Sequence, residues 1–127
     1  MLQKVILTVV LILVGQGIMA ETVSNCENTN DIKEMNSCAK KAYLSSKKEL
    51  NKKVITIKNQ QDISKRSKRL LNKSQKSWKQ FRWNYCIFTV VDLEGEVGYD
   101  FHKFDCLERV TRQQIKNLQE YVEGLDV

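Results

Sequence analysis

Residues 70–88 read LLNKSQKSWKQFRWNYCIF. Leu70, Leu71, Ser74, Trp78, Phe81, Tyr85 and Phe88 recur there at steps of three and four, the spacing of one face of an α-helix. Aromatics and Cys86 crowd the C-terminal end of this stripe. A lone helix cannot bury it, so the rest of the chain must supply a partner helix, a disulfide partner and a cover. On this reading Trp78, Phe81 and Tyr85 belong to the core. Arg82, on the neighbouring face, is expected to pair with an acid of the segment or helix that follows. Gln75 is expected to hydrogen-bond locally. Trp83 lies off the stripe, where an exposed aromatic can mark an interface.

Outward from this helix, the composition favours more of the same. The chain has 127 residues, no Pro and five Gly, which suggests one domain rich in helices. Four Cys permit two disulfides if the compartment is oxidising. The first twenty residues point to such a compartment. Lys4 supplies a short positive region, Val5 to Val14 is apolar except for Thr8, and Ile18-Met19-Ala20 ends on a small residue. This pattern predicts a secretory signal peptide over 1–20, with an uncleaved anchor as the competing reading. A mature helical domain would then occupy 21–127, with no stable membrane span after cleavage, in a bacterial periplasm or secreted.

Upstream of the opening stretch, Asp31-Ile32-Lys33-Glu34 has the form of a capping box and should start helix A. Met35, Ala39, Ala42 or Tyr43, Ser46, Leu50, Val54 and Ile57 make its apolar stripe, running to about Lys58. That length is about 40 Å at 1.5 Å per residue. Asn59-Gln60-Gln61-Asp62 can turn the chain, with Asp62 capping helix B from about Ile63 to Phe88. A single continuous helix is the alternative. In a hairpin turning near residue 61, Cys38 and Cys86 stand level, with Cys26 and Cys106 at the same end. The sequence-local pairing, Cys26–Cys38 with Cys86–Cys106, is favoured. The rival is Cys38–Cys86 with Cys26–Cys106, since clustering alone does not choose between them.

Downstream, residues 89–105 lose the helical spacing, and Gly95 and Gly98 punctuate them, so a structured loop is expected. Asp105-Cys106-Leu107-Glu108 repeats the capping box. Helix C would follow to about Glu123 and pack across the hairpin near the disulfide end. Leu107, Val110 or Thr111, Ile115, Leu118 and Tyr121 or Val122 form its apolar face. The expected fold is therefore all-α: a long antiparallel helical hairpin plus a third C-terminal helix, disulfide-stapled at one end.

Catalytic chemistry finds little in this sequence. His102 is the single histidine, near Asp100, Asp105 and Cys106. A cysteine committed to a disulfide is neither nucleophile nor ligand, and one His does not close a metal site. No phosphate-cradling glycine loop or nucleophile elbow is present. A non-enzyme without metal or cofactor is expected.

Several motifs together resemble the LprI-type lysozyme-inhibitor domain. They are MNSCA at 35–39, Tyr43, Leu50-Asn51, Gln75-x-x-Trp78-x-x-x-Arg82-x-x-x-Cys86, Cys106-Leu107-x-x-Val110-Thr111 and Leu118-x-x-Tyr121. The chain departs from the usual pattern at Lys47 and Trp83, where the family carries Asp, and at Gln114, where it carries Arg. The resemblance implies an extracytoplasmic fold and a protein partner of the lysozyme (muramidase) type.

The charge distribution suggests where such a partner would dock. Residues 40–82 hold 15 Lys or Arg against Glu49 and Asp62, and residues 83–127 hold four against nine acids. Many lysozymes are strongly basic. The acids of the loop, Asp92, Glu94, Glu96 and Asp100, are therefore the expected partner-binding element, with Trp83 as a further candidate. The Lys-rich hairpin supports an alternative reading, an envelope-associated module binding anionic polymers. Few aromatics interleave with its lysines before Trp78, so nucleic acid is not an expected partner.

Overall fold

The computed structural model of the chain describes residues 23–124; the expected signal segment and its cut near Ala20 lie outside them. Three α-helices carry the fold: α1 (Ile32–Lys58), α2 (Lys65–Val90) and α3 (Tyr99–Gly124). A 3-10 turn at Val23–Asn28 precedes α1, and another at Val91–Leu93 follows α2. No strand occurs among the described residues.

Helix α1 begins where its cap places it. Asp31 is extended and its carboxylate accepts the Lys33 N–H at 2.8 Å. Thr29 does the work expected of Glu34: its hydroxyl accepts the Asp31 N–H at 3.2 Å and donates to Glu34 at 2.7 Å. Ala39, Ala42, Ser46, Leu50 and Ile57 are buried, the stripe read from the sequence. The chain then turns, so the hairpin reading holds over the continuous helix.

The cap of α2 is Ser64 rather than Asp62. Ser64 is extended, and its hydroxyl oxygen accepts the Ser67 N–H at 3.0 Å, so the helix starts at Lys65. Ile63 stays outside the helix and packs instead beside Leu50, Ile57 and Leu118. Replacing Ser64 by Ala is expected to cost about 1 kcal/mol, and Asp62→Ala a few tenths at most. Urea unfolding of the two variants checks this, and equal losses would place the cap elsewhere.

The buried face of α2 differs from the one read off the sequence. Gln75, Arg82, Cys86 and Val90 are buried, with Leu71 and Trp78 half-buried beside them. Leu70, Phe81, Tyr85 and Phe88 are exposed. The helix is thus rotated by roughly a quarter turn, about one residue's advance at 3.6 residues per turn. Cys86 explains the rotation. It must face Cys106, and the positions a turn apart behind it, Arg82, Trp78 and Gln75, come inward with it.

Helix α3 starts at Tyr99, six residues before the expected loop ends. Helix α2 runs on to Val90, and the connection is only a 3-10 turn and a tight turn through Gly95, whose φ of +88° suits a residue without a Cβ. Asp105-x-x-Glu108 is therefore helix interior, not a cap. Phe101 and Phe104 continue the stripe of Leu107, Thr111 and Leu118 one helical step at a time.

Helix α3 lies along the whole hairpin, not only its stapled end. Phe101 packs with Cys26, Ala39 and Ala42, whereas Leu118 packs with Leu50 and Ile57. It packs along α1 more extensively than along α2, and the two arms of the hairpin share little backbone contact. The small residues Ala39, Ala42 and Ser46 let α3 come near α1, whereas Trp78 and Arg82 hold α2 further off.

The disulfides are the sequence-local pair, Cys26–Cys38 and Cys86–Cys106, with Cα separations of 5.6 and 5.5 Å. Phe104 touches the clusters around both. One end of the bundle is stapled, as the hairpin arithmetic requires.

Candidate functional site

The motif residues Gln75, Trp78 and Arg82 form the seam between the helices. Arg82 lies 4.7 Å from the Trp78 ring and 5.3 Å from that of Tyr43, and donates through Nη1 to the Thr111 hydroxyl at 2.9 Å. One guanidinium so joins all three helices. The acid expected to pair with it is absent among the described residues, because Glu108 pairs with Arg112, which also reaches Glu49 on α1 at 3.4 Å. Burial pulls the Arg82 guanidinium below its ordinary pKa, and Tyr43 opposes that shift. Gln75 bonds not locally but across the seam, accepting from Gln114 Nε2 at 2.8 Å. Thr111 and Tyr43 were legible as stripe positions on α3 and α1, but their mates were set by helix rotation, and Glu108, read from the sequence as a capping residue, pairs within its own helix instead.

The acidic segment sits at the stapled end. Asp92, Glu94 and Glu96 are exposed, spread over the 3-10 turn and the turn through Gly95. Asp100 is exposed too, but belongs to the first turn of α3, where it pairs with Lys103 at 2.7 Å. An acid there also suits the positive end of the helix, so Asp100 serves the helix as much as any surface. The turn is ordered by its own backbone: Glu94 N–H bonds Val91 at 3.1 Å, Glu96 N–H bonds Leu93 at 2.9 Å, and Tyr99 N–H bonds Glu96 at 3.2 Å. Apolar side chains stand out around it, with Phe88 74 % and Val97 71 % exposed and Val91 nearly half so. These apolar neighbours were missed because Phe88 reads as core in the stripe.

Trp83 is half exposed, as its position off the stripe implies. Five residues from Phe88, it points roughly 140° away around α2. The helix therefore does not bring Trp83 and Phe88 onto one face. His102 is exposed, and its ring meets the Phe101 ring edge-on at 5.5 Å. Cys106 beside it is closed in a disulfide. No group of His, Cys, Asp and Glu among the described residues could hold a metal ion. The arrangement thus sets exposed acidic and apolar groups together at the stapled end.

No helix among the described residues is long and apolar enough to cross a membrane. No curated protein and no solved structure matches the chain. The profile of the family described as lysozyme inhibitor LprI, however, matches residues 24–118, which take in both disulfides, the whole hairpin and α3 as far as Leu118. With that match over most of its length, and with the motif residues assembled in one seam between its three helices, the chain belongs to the lysozyme inhibitor LprI family.

Proposed function

We propose that this chain is a secreted, non-enzymatic inhibitor of a lysozyme, and that the acidic tip between α2 and α3 meets the enzyme. The family match over residues 24–118 carries the first half of this reading. An extracytoplasmic location is supported by the apolar leader at 5–14 and by two disulfides, which persist where thiols are oxidised.

The tip supports the second half. Asp92, Glu94 and Glu96 attract a basic enzyme and speed encounter. Phe88, Val91 and Val97 offer apolar area that contact would remove from water. The backbone bonds of the turn and the nearby Cys86–Cys106 bridge hold the tip in shape, so little entropy is lost on docking. Inhibition follows if the tip occludes the glycan cleft. The Lys-rich turn of the hairpin is no obstacle: α1 is 27 residues long, or about 40 Å, against a screening length of about 8 Å.

Neutralising the tip in Asp92→Asn/Glu94→Gln/Glu96→Gln is expected to weaken inhibition at least about tenfold at low salt, and less as salt rises. The assay is lysis of peptidoglycan by a responsive lysozyme. Unchanged inhibition would remove the tip from the interface. Failure of the folded, oxidised protein to inhibit any of the chicken, goose and invertebrate types would remove the function itself.

A further inference from the structure

On the face turned away from α1, α2 and α3 leave a groove between them of about 520 Å³. This lies within the roughly 300–1,000 Å³ of small-ligand sites. One wall is aromatic. Trp78, Phe81 and Tyr85 line it, and the Phe81 and Tyr85 rings stack 5.6 Å apart at 16°. They are 57 % and 39 % exposed, so the chain spends its aromatic stripe on a surface instead of a core.

The facing wall is a ladder of amides. Gln113 Nε2 donates to Asn117 Oδ1 at 3.1 Å, Asn117 Nδ2 to Gln114 Oε1 at 3.2 Å, and Gln114 Nε2 to the buried Gln75 at 2.8 Å. Each amide has two donor hydrogens and two acceptor lone pairs, so the ladder orients its members and leaves capacity at the groove. Arg109 adds the one charged group of the lining. No carboxylate faces in.

We propose that this groove binds a short glycan chain. A pyranose ring presents an apolar C–H face and an equatorial rim of hydroxyls. The ring faces of Phe81 and Tyr85 fit the former, and the amides of Gln113 and Asn117 fit the latter. A cation finds no acid here, and a polyanion finds a single arginine. A second groove, about 380 Å³ and bordered by Ile57 of α1, Leu71 and Leu118, is lined mainly by aliphatic side chains, with the hydroxyls of Ser67, Ser74 and Tyr121 but no amide to match a sugar's rim. The site is separate from the acidic tip, and it stands whether or not the protein inhibits a lysozyme.

The test is a calorimetric titration of the oxidised protein, with no lysozyme present, using the β-1,4-linked hexamer of N-acetylglucosamine at low and high salt. Binding with little salt dependence is expected. Phe81→Ala and Asn117→Ala should each weaken it about tenfold, with circular dichroism unchanged because both side chains are exposed. If Phe81→Ala proves misfolded, Gln113→Ala, also exposed, decides the matter in the same way. Three results would overturn the proposal. One is no binding by the wild type. Another is binding that ignores the groove variants but falls with salt and with loss of Lys65, Arg66, Lys68 and Arg69. The last is groove variants that alter self-association or lysozyme inhibition while leaving glycan affinity unchanged.

Discussion

Replacing both Cys86 and Cys106 by alanine is expected to lower the unfolding free energy by about 3 kcal/mol or more. The bridge spans 20 residues of sequence, and closing such a loop is worth about 3 kcal/mol in the chain-entropy account. Both sulfurs are buried, and they sit with Leu107, Tyr43, Phe104 and Val110. Alanine leaves those neighbours a small void rather than an unpaired hydroxyl, so the entropic effect dominates. Against a usual total of about 5–15 kcal/mol, the loss is a large fraction. It is also global, because this bridge is the covalent link that sets the rotation of α2 against α3. The other bridge makes a useful contrast. Cys26–Cys38 spans 12 residues and ties the first 3-10 turn to α1. Its loss should free the segment before α1 and loosen the packing of Phe101 and Ala39, while α2 and α3 stay joined. Urea unfolding followed at once by circular dichroism and by hydrogen exchange separates the cases. One lowered, still cooperative transition is expected for the first pair, and early local exchange near residues 26–38 for the second. Equal global midpoints in the two variants would show that α2 does not depend on its bridge for register.

The second large effect concerns Arg82. Arg82→Ala is expected to cost roughly 2–4 kcal/mol, since it empties a buried site between the Tyr43 and Trp78 rings. Arg82→Met should cost no more than about 1.5 kcal/mol. Methionine refills most of the volume and stays near both rings, and a buried charge replaced by a well-packed apolar group often leaves stability little changed. Two observations support that asymmetry. Thr111 keeps a partner without Arg82, because its hydroxyl also donates to the Leu107 carbonyl at 2.6 Å. Arg82 carries its own penalty in the fold, with Nε buried and unbonded and no carboxylate beside it among the described residues. Thermal unfolding of the two variants decides. If methionine costs as much as alanine, the charge itself, through its contacts with the two rings and Thr111, holds the seam together.

Both predictions rest on the seam where sequence and structure part company. The sequence alone determined the all-α class, because breakers are scarce and the apolar residues keep helical steps. It placed α1 almost to the residue, since Asp31 offers a carboxylate to a free N–H and Ala39, Ala42, Ser46, Leu50 and Ile57 share one face. It gathered the four cysteines at one end of a hairpin and favoured the pairs nearest in sequence, which are the ones formed. These features depend on neighbours within a few turns.

Tertiary structure decided the rest. One residue's step turns a helix by more than a quarter circle, so a stripe with aromatics on both flanks does not say which flank is buried. Cys106, some twenty residues away, settled that for α2, leaving Phe81, Tyr85 and Phe88 in solvent. The start of α3 was hidden by Gly95 and Gly98, and it depends on Phe101 finding Ala39 and Ala42 on a distant helix. The acids at 92, 94 and 96 were legible as charges, but their apolar neighbours were not, because exposure is a property of the packed helices and not of the residue. The same holds for the amide ladder facing Phe81 and Tyr85: its members lie on α3, and only the packing of two helices sets them opposite an aromatic wall.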